Sequence, residues 1–180
     1  MTSPLTLHAT PASGFDEPFE MLLECHQRVE RMLVLLARLA GHLPGHGADE
    51  QARQAARDVM RYFDQAGPAH HEDEERHLLP VLQAAGDPAL RTLAKRLQGE
   101  HESMVRQWSA LRADLQAVAD GRPDEALTAA AATRRADFAT LYREHIEAEE
   151  AVAYPAARAL LDAAAQVAMG HEMARRRGVR

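Results

Sequence analysis

Apolar positions recur at intervals of three and four residues in four long stretches of the chain, the spacing of one buried face of an α-helix. The first stretch follows Asp16 and Pro18, an N-cap residue with a proline in the first turn. It ends near Gly41, and the polar residues 45–48 are predicted to form the turn to the next helix.

The second helix is predicted to begin near Asp49 and to end at Gly86. Gly67 and Pro68 interrupt it, but the same apolar face continues beyond the proline. Because a proline inside a helix removes one hydrogen bond and crowds the preceding turn, we expect one helix with a kink.

The third and fourth helices repeat the signal of a capping residue and a proline. Asp87 and Pro88 open the third helix, which ends at Gly121, and Pro123 opens the fourth. Pro155 is expected to bend the fourth helix, because the apolar face continues on both sides of it.

Four amphipathic helices of this length joined by short turns predict an all-α fold, an up-down-up-down four-helix bundle. The bundle is predicted to span residues 16–168, after an N-terminal coil over residues 1–15. The apolar periodicity fades towards the C-terminus, so residues 169–180 are predicted to form a flexible basic tail.

Composition narrows the classes of partner. The 180 residues carry 21 Lys and Arg against 27 Asp and Glu, a net charge of −6, and both signs alternate along the chain. A nucleic acid or an anionic membrane is therefore not expected as a partner. The single cysteine, Cys25, cannot form an internal disulfide, and no stretch is long enough for a membrane span or signal peptide. We expect a cytoplasmic protein, monomeric or homodimeric, and the sequence names no protein partner.

Ten histidines are many for a chain of this length, and four of them lie at inward positions, one on each predicted helix. Two of the four are followed four residues later by a glutamate, which places each pair on the same helix face. Burying ionised carboxylates among leucines costs several kcal/mol each unless a charge compensates them, and a metal centre supplies that charge. The candidate metal ligands are His26, His70, Glu74, His101, His145 and Glu149.

Two segments share the pattern H-x-x-x-E-E-x-x-x-x-P, one from His70 to Pro80 and one from His145 to Pro155. An internal repeat of this length in a short chain is a specific signal. Alignment on the proline selects His70 over His71 as the ligand, and the helical periodicity makes the same choice.

The order of a histidine, an H-x-x-x-E pair, a histidine and a second such pair resembles the bacterial hemerythrin-like proteins with the HHE cation-binding domain, over residues 19–160. The resemblance implies a hemerythrin-like bundle around two non-haem iron ions, Fe²⁺ or Fe³⁺, with a bridging oxo or hydroxo group. The four histidines would be terminal ligands, and Glu74 and Glu149 would bridge the irons. It also implies a small diatomic or peroxide ligand: dioxygen, nitric oxide or peroxide. Independently, a donor set of histidine and glutamate favours iron or manganese over zinc.

One position departs from the oxygen-carrying hemerythrins. Those proteins have a second histidine one helical turn after the ligand of the third helix, where this chain has Val105. One iron is then expected to lack a nitrogen ligand, which favours redox reaction or sensing over reversible oxygen carriage. The nearby side chains that could fill the position are Glu72, Glu75, Glu100, Glu150 and Tyr154.

Several assignments stay open at this point. His71 and Glu75 form a rival pair one residue out of register, although a solvated or supporting role is favoured for them. His77 either supports a ligand or packs in the core. Glu72, Asp73 and Arg76 are predicted to form an exposed charged face. The histidines predicted to be solvent-exposed are His8, His42, His46 and His171.

Two other functions fit the same residues. The chain could store, buffer or sense iron without redox chemistry, so that metal occupancy tunes the stability of the bundle. It could also be a purely structural helical protein whose histidines are packed and metal-free. Whether the protein is an enzyme is left open by the sequence.

Overall fold

The structure, a computed structural model, describes residues 14–179, which are mostly helical and contain no strand. The predicted coil 1–15 lies almost wholly outside the described residues, as does His8. In chain order the α-helices are α1 (Pro18–His46), α2 (Glu50–Asp73), α3 (Leu79–Ala84), α4 (Pro88–Ala119), α5 (Ala129–Ala148), α6 (Tyr154–Leu160) and α7 (Ala163–Arg176). Two π-helical turns, Glu74–Leu78 and Glu149–Ala153, join α2 to α3 and α5 to α6, and a 3₁₀ turn, Pro123–Leu127, precedes α5.

The four long helices enclose one core. Helix α1 packs against α2 and α5, and α4 packs against the same two helices. An apolar cluster around Phe63 and Phe138 lies on one side of the candidate ligands, and a second around Leu22 and Leu97 lies on the other. The prediction of an all-α bundle is confirmed.

Helices α2 and α4 begin at their predicted caps, but Asp16 does not cap α1, whose N-cap is Glu17 and makes no side-chain cap hydrogen bond. The carboxylate of Asp49 accepts a hydrogen bond from the N–H of Ala52 at 2.8 Å, and that of Asp87 accepts one from Ala89 at 2.8 Å. The fourth helix is different, because Pro123 opens the 3₁₀ turn and α5 begins only after Thr128.

The first helix does not end near Gly41 but continues through Pro44 to His46. Leu43 is buried in the core and holds the last turn in helical form. Gly47 then ends the helix with a φ of 64°, a backbone conformation that favours glycine.

The irregularity of the second and fourth helices is a π turn in both cases. Helix α2 remains α-helical through Pro68, so the second helix continues past that proline as expected. The N–H of Leu79 instead reaches back five residues to Glu74, and that of Tyr154 reaches back to Glu149. This wider turn accommodates the proline that follows each motif, which lacks an N–H and crowds the preceding carbonyl.

The C-terminal segment differs from the predicted basic tail, because residues 163–176 form α7. Met169 and Met173 are buried on this helix. A side chain at Gly170 would place its Cβ 1.9 Å from the carbonyl oxygen of Phe15, so the close approach of the two segments requires glycine. Helix α7 is therefore packed onto the bundle.

Candidate metal centre

All six candidate ligands lie in one buried layer, and none is more than 4% exposed. Their ligand atoms form two groups, each within a span of 4.8 Å. The first cluster contains His26, His70, Glu74 and Glu149, and the second cluster contains Glu74, His101, His145 and Glu149. Glu74 and Glu149 belong to both clusters.

The donor atoms of each cluster face one another. In the first cluster, His26 Nε2 is 3.1 Å from Glu149 Oε2, and His70 Nε2 is 3.3 Å from Glu74 Oε1. In the second, the Nε2 atoms of His101 and His145 are 3.1 Å apart. Two imidazole nitrogens that point at each other beside carboxylates match the donor set of a cation site.

Buried polar atoms in this layer lack hydrogen-bond partners. Glu74 Oε2 and Glu149 Oε2 accept no hydrogen bond from any residue of the described range 14–179. Glu74 Oε2 lies 3.3 Å from His101 Nε2, but the geometry is not that of a hydrogen bond. An unsatisfied buried acceptor costs about 1–3 kcal/mol, and more when it is charged. A cation bound by both groups would remove that cost, so the residues fit a metal.

Outer carboxylates orient three of the four imidazoles. Nδ1 of His26 donates to Glu150 at 2.9 Å, and Nδ1 of His101 donates to Glu75 at 2.9 Å. Nδ1 of His145 donates to Glu100 at 2.8 Å. Since ionised carboxylates only accept hydrogen bonds, each ring is held with Nε2 towards the centre of its cluster.

The second glutamate of each repeat thus supports the histidine of a neighbouring helix. Glu75, next to Glu74, holds His101 of α4, while Glu150, next to Glu149, holds His26 of α1. The repeated E-E pair is visible in the sequence, but only the packing shows which histidine the second glutamate of each pair contacts.

Charge coupling within the layer is strong. Burial alone would lower the pKa of His26, but the adjacent carboxylates of Glu149 and Glu74 raise it to about 10. Burial likewise opposes a raised pKa for His145, yet nearby carboxylates, Glu149 above all, raise it to about 9. Burial would raise the pKa of Glu74, but the surrounding histidines hold it well below its usual range. The two buried carboxylates of this layer thus favour positive charge on the groups around them.

Comparison with known proteins agrees with this geometry. Residues 17–157 match the family described as the hemerythrin HHE cation binding domain. The chain belongs to this hemerythrin family. It is also 31% identical over 167 residues to an uncharacterized protein of Haemophilus influenzae, covering 92% of this chain and 93% of that protein. Cation binding is the family's described property, and buried His and Glu groups here can hold a metal.

Tyr154 distinguishes the first cluster of this hemerythrin domain. Its hydroxyl is 3.0 Å from His26 Nε2 and donates to Glu74 Oε1. Burial, together with the charges of Glu74 and Glu149, raises the pKa of Tyr154 well above its usual value, so the hydroxyl keeps its proton. Tyr154 is one of the side chains that the sequence allows at the ligand position left open by Val105, but its hydroxyl contacts the first cluster instead.

Val105 is 63% exposed and therefore does not face the second cluster. The expectation that it lies on the same inner face as His101 is wrong. A residue four positions after His101 is rotated by about 40° around the helix, and here that rotation carries it to the surface. Met104, which is 1% exposed, takes the inner position. The other side chains considered for the gap have different contacts: Glu75, Glu100 and Glu150 hold imidazoles, and Glu72 pairs with Arg76 and Arg176.

His71 was expected to be either solvated or in a supporting role, and the solvated alternative is wrong because the residue is buried. Its ring stacks on that of His101, with centroids 4.0 Å apart and planes 10° apart. Its ligand atoms belong to neither cluster, whereas those of His70 do. Burial holds the pKa of His71 well below its ordinary value, so the ring is neutral.

The predicted exposed face around Asp73 is also wrong in part. Asp73 is fully buried and accepts hydrogen bonds from Arg176 and Arg177 of the C-terminal segment. His77 turns towards α7 and donates to Glu172 at 2.6 Å, because the π turn changes the direction of the side chains after Glu74. Nothing in the sequence periodicity signalled these contacts, which depend on where α7 packs.

No helix within residues 14–179 is both long enough and apolar enough to cross a membrane.

Proposed function

We propose that the two clusters hold a pair of iron ions that share Glu74 and Glu149 as bridging ligands. His26 and His70 would be the terminal ligands of one ion, and His101 and His145 those of the other. The observation that carries the proposal is the membership of both glutamates in both clusters. A single ion would leave one pair of imidazole nitrogens unused.

The donor set favours iron or manganese over zinc. Zinc sites are usually four-coordinate and often include cysteine, whereas the clusters contain only imidazole and carboxylate donors. Two divalent ions bring four positive charges against the two bridging carboxylates, a balance suited to a buried layer. Iron supplies reversible oxidation and an exchangeable coordination position when it is bound.

The protein's own groups would prepare the site for a small ligand. Glu75, Glu100 and Glu150 keep three rings aimed at the clusters, so little reorganisation is needed when the metal binds. Tyr154 holds a proton beside His26 and Glu74, at the atoms that would ligate the first ion. We propose that the centre binds, senses or reacts with dioxygen, nitric oxide or peroxide.

The test is a parallel anaerobic titration of the iron-loaded, reduced protein with dioxygen, nitric oxide and peroxide. We expect two irons per chain and a change in visible absorption with at least one of the three. One iron per chain or none would contradict the shared-carboxylate site. Two irons without any spectral response would favour storage, buffering or iron sensing, in which the metal acts on the stability of the bundle.

A further inference from the structure

A groove of about 160 Å³ opens between α2 and α4. Val105 lies at its exposed rim, and Phe63, Trp108 and Tyr142 form apolar walls. Gly67 also lines it, and a Cβ there would lie 3.7 Å from the hydroxyl of Tyr142. A side chain larger than alanine at that position would therefore fill part of the groove.

The inner end of the groove lies against His71, one ring away from the second cluster. Met104 and His71, both buried, line this end, and His71 stacks directly on His101. Within the described residues His71 makes ring contacts but no hydrogen bond. A ring held only by stacking can change its side-chain rotamer without breaking a polar contact.

The surface near the first cluster is different. A larger cleft, of about 400 Å³, is lined by Tyr154, Glu150 and Arg158. Its inner wall is closed by polar contacts, because Tyr154 bonds to His26 and Glu74 while Glu150 bonds to His26. Opening this wall would break the hydrogen bonds made to the buried His26 and Glu74, which is costly.

We infer that the groove between α2 and α4 is the route by which an uncharged diatomic ligand reaches the second cluster, with Val105 setting its width and His71 acting as its inner gate. This inference rests on the proposed function, since it assumes a ligand-binding metal centre. The apolar walls suit an uncharged molecule, which loses little hydration on leaving water. Residues at a route change the rates of binding and release together and leave the affinity unchanged.

The first test uses nitric oxide and the full-length, reduced, iron-loaded protein in stopped-flow absorption. Val105→Phe should narrow the rim and slow association and dissociation by the same factor, on the order of tenfold at most. Val105→Ala should accelerate both rates. Val34→Phe, on an exposed position of α1, is the matched control and should leave both rates at the wild-type values. Equal rates for wild type and Val105→Phe would overturn the inference.

A second test does not depend on ligand binding by iron. In the full chain loaded with diamagnetic Zn²⁺, dissolved dioxygen should enhance the NMR relaxation of the Met104 methyl group and the His71 ring protons. Val105→Phe should weaken that enhancement, and Val34→Phe should not. If wild type gives no nitric oxide signal but this enhancement appears and responds to Val105→Phe, the proposed function fails and the route stands. If neither group shows enhancement, the route is wrong whatever the iron does.

Discussion

The two clusters share their carboxylates but differ in what surrounds them. In the first cluster Tyr154 bonds to both His26 and Glu74, and the adjacent cleft ends at that closed polar wall. The second cluster has no tyrosine hydroxyl bonded to its imidazoles among the described residues, and it is separated from an open groove by the ring of His71. Two sites built from the same repeated motif have thus acquired different access.

The difference arises at a variable position inside the repeat. Position for position, the residue five after Glu149 is Tyr154, whereas the residue five after Glu74 is Leu79. The ligands themselves are nearly symmetric, because each repeat supplies one histidine and one shared glutamate. The repeated motif therefore gives the two clusters the same types of ligand, while single residues at its variable positions make their surroundings different.

The largest effects are expected from the ligands themselves. His70→Ala and His145→Ala should each reduce bound iron to one ion or less and lower the free energy of unfolding of the loaded protein by about 3–5 kcal/mol, because each leaves buried carboxylates uncompensated.

His71→Ala is the matched control on the same helix. Since His71 is buried, its truncation should cost about 1–2 kcal/mol but leave two irons bound. Metal analysis and denaturant titration measure both quantities. Greater iron loss in His71→Ala would transfer the ligand role to His71 and Glu75.

A smaller effect is expected when the first cluster is made to resemble the second. Tyr154→Phe removes the hydroxyl beside His26 and should cost about 1–2 kcal/mol of stability. In the diferric protein it should add a second azide-binding phase, because the wall between the cleft and the first cluster then lacks the hydroxyl that contacts His26 and Glu74. Tyr62→Phe is the control, since its hydroxyl donates to the backbone carbonyl of Cys25 and contacts no candidate ligand. A single azide phase with unchanged affinity in Tyr154→Phe would show that Tyr154 does not limit the first site.

The smallest effect concerns pH. In the metal-free protein the pKa values of His26 and His145 are raised to about 10 and about 9, above the ordinary value of 6.5. Their protonated rings stabilise the fold fully below pH 6.5, and this contribution disappears as the pH rises through those values. The Tm of the metal-free protein should therefore fall between pH 7 and about 10, and the stabilisation by metal should widen over the same range. Thermal melts with and without metal check this. His145→Gln should make the fall between pH 7 and about 9 shallower, because only His26 then titrates with a raised pKa, and an unchanged slope would argue against the assignment.

Much of the architecture could be predicted from periodicity and capping residues. The starts of α2 and α4 follow from Asp49 and Asp87, whose side chains cap the helices as expected. The π turns could not be predicted in this way, because the same proline signal is compatible with a kink, a break or a wider turn.

The candidate site likewise contains residues that the sequence predicts and contacts that it does not. Spacing and the repeat brought out six residues that the structure places in one buried layer. The prediction that Val105 lies on the inner face was wrong. A rotation of about 40° from His101 decides whether the side chain lies in the core or at the surface, and the sequence does not give the orientation of the helix that precisely. The contact between Asp73 and Arg177 was missed because it joins residues far apart in the chain.

Mössbauer spectroscopy of the protein loaded with ⁵⁷Fe tests the central claim most directly. The account predicts that the diferric form contains two coupled irons with distinct environments, one beside Tyr154 and one beside the groove. It should therefore give two quadrupole doublets of equal area at low temperature without magnetic splitting, and Tyr154→Phe should shift only one of them. A magnetically split spectrum of isolated ferric ions would contradict the bridged pair, and a single doublet unchanged by Tyr154→Phe would contradict the difference between the two clusters.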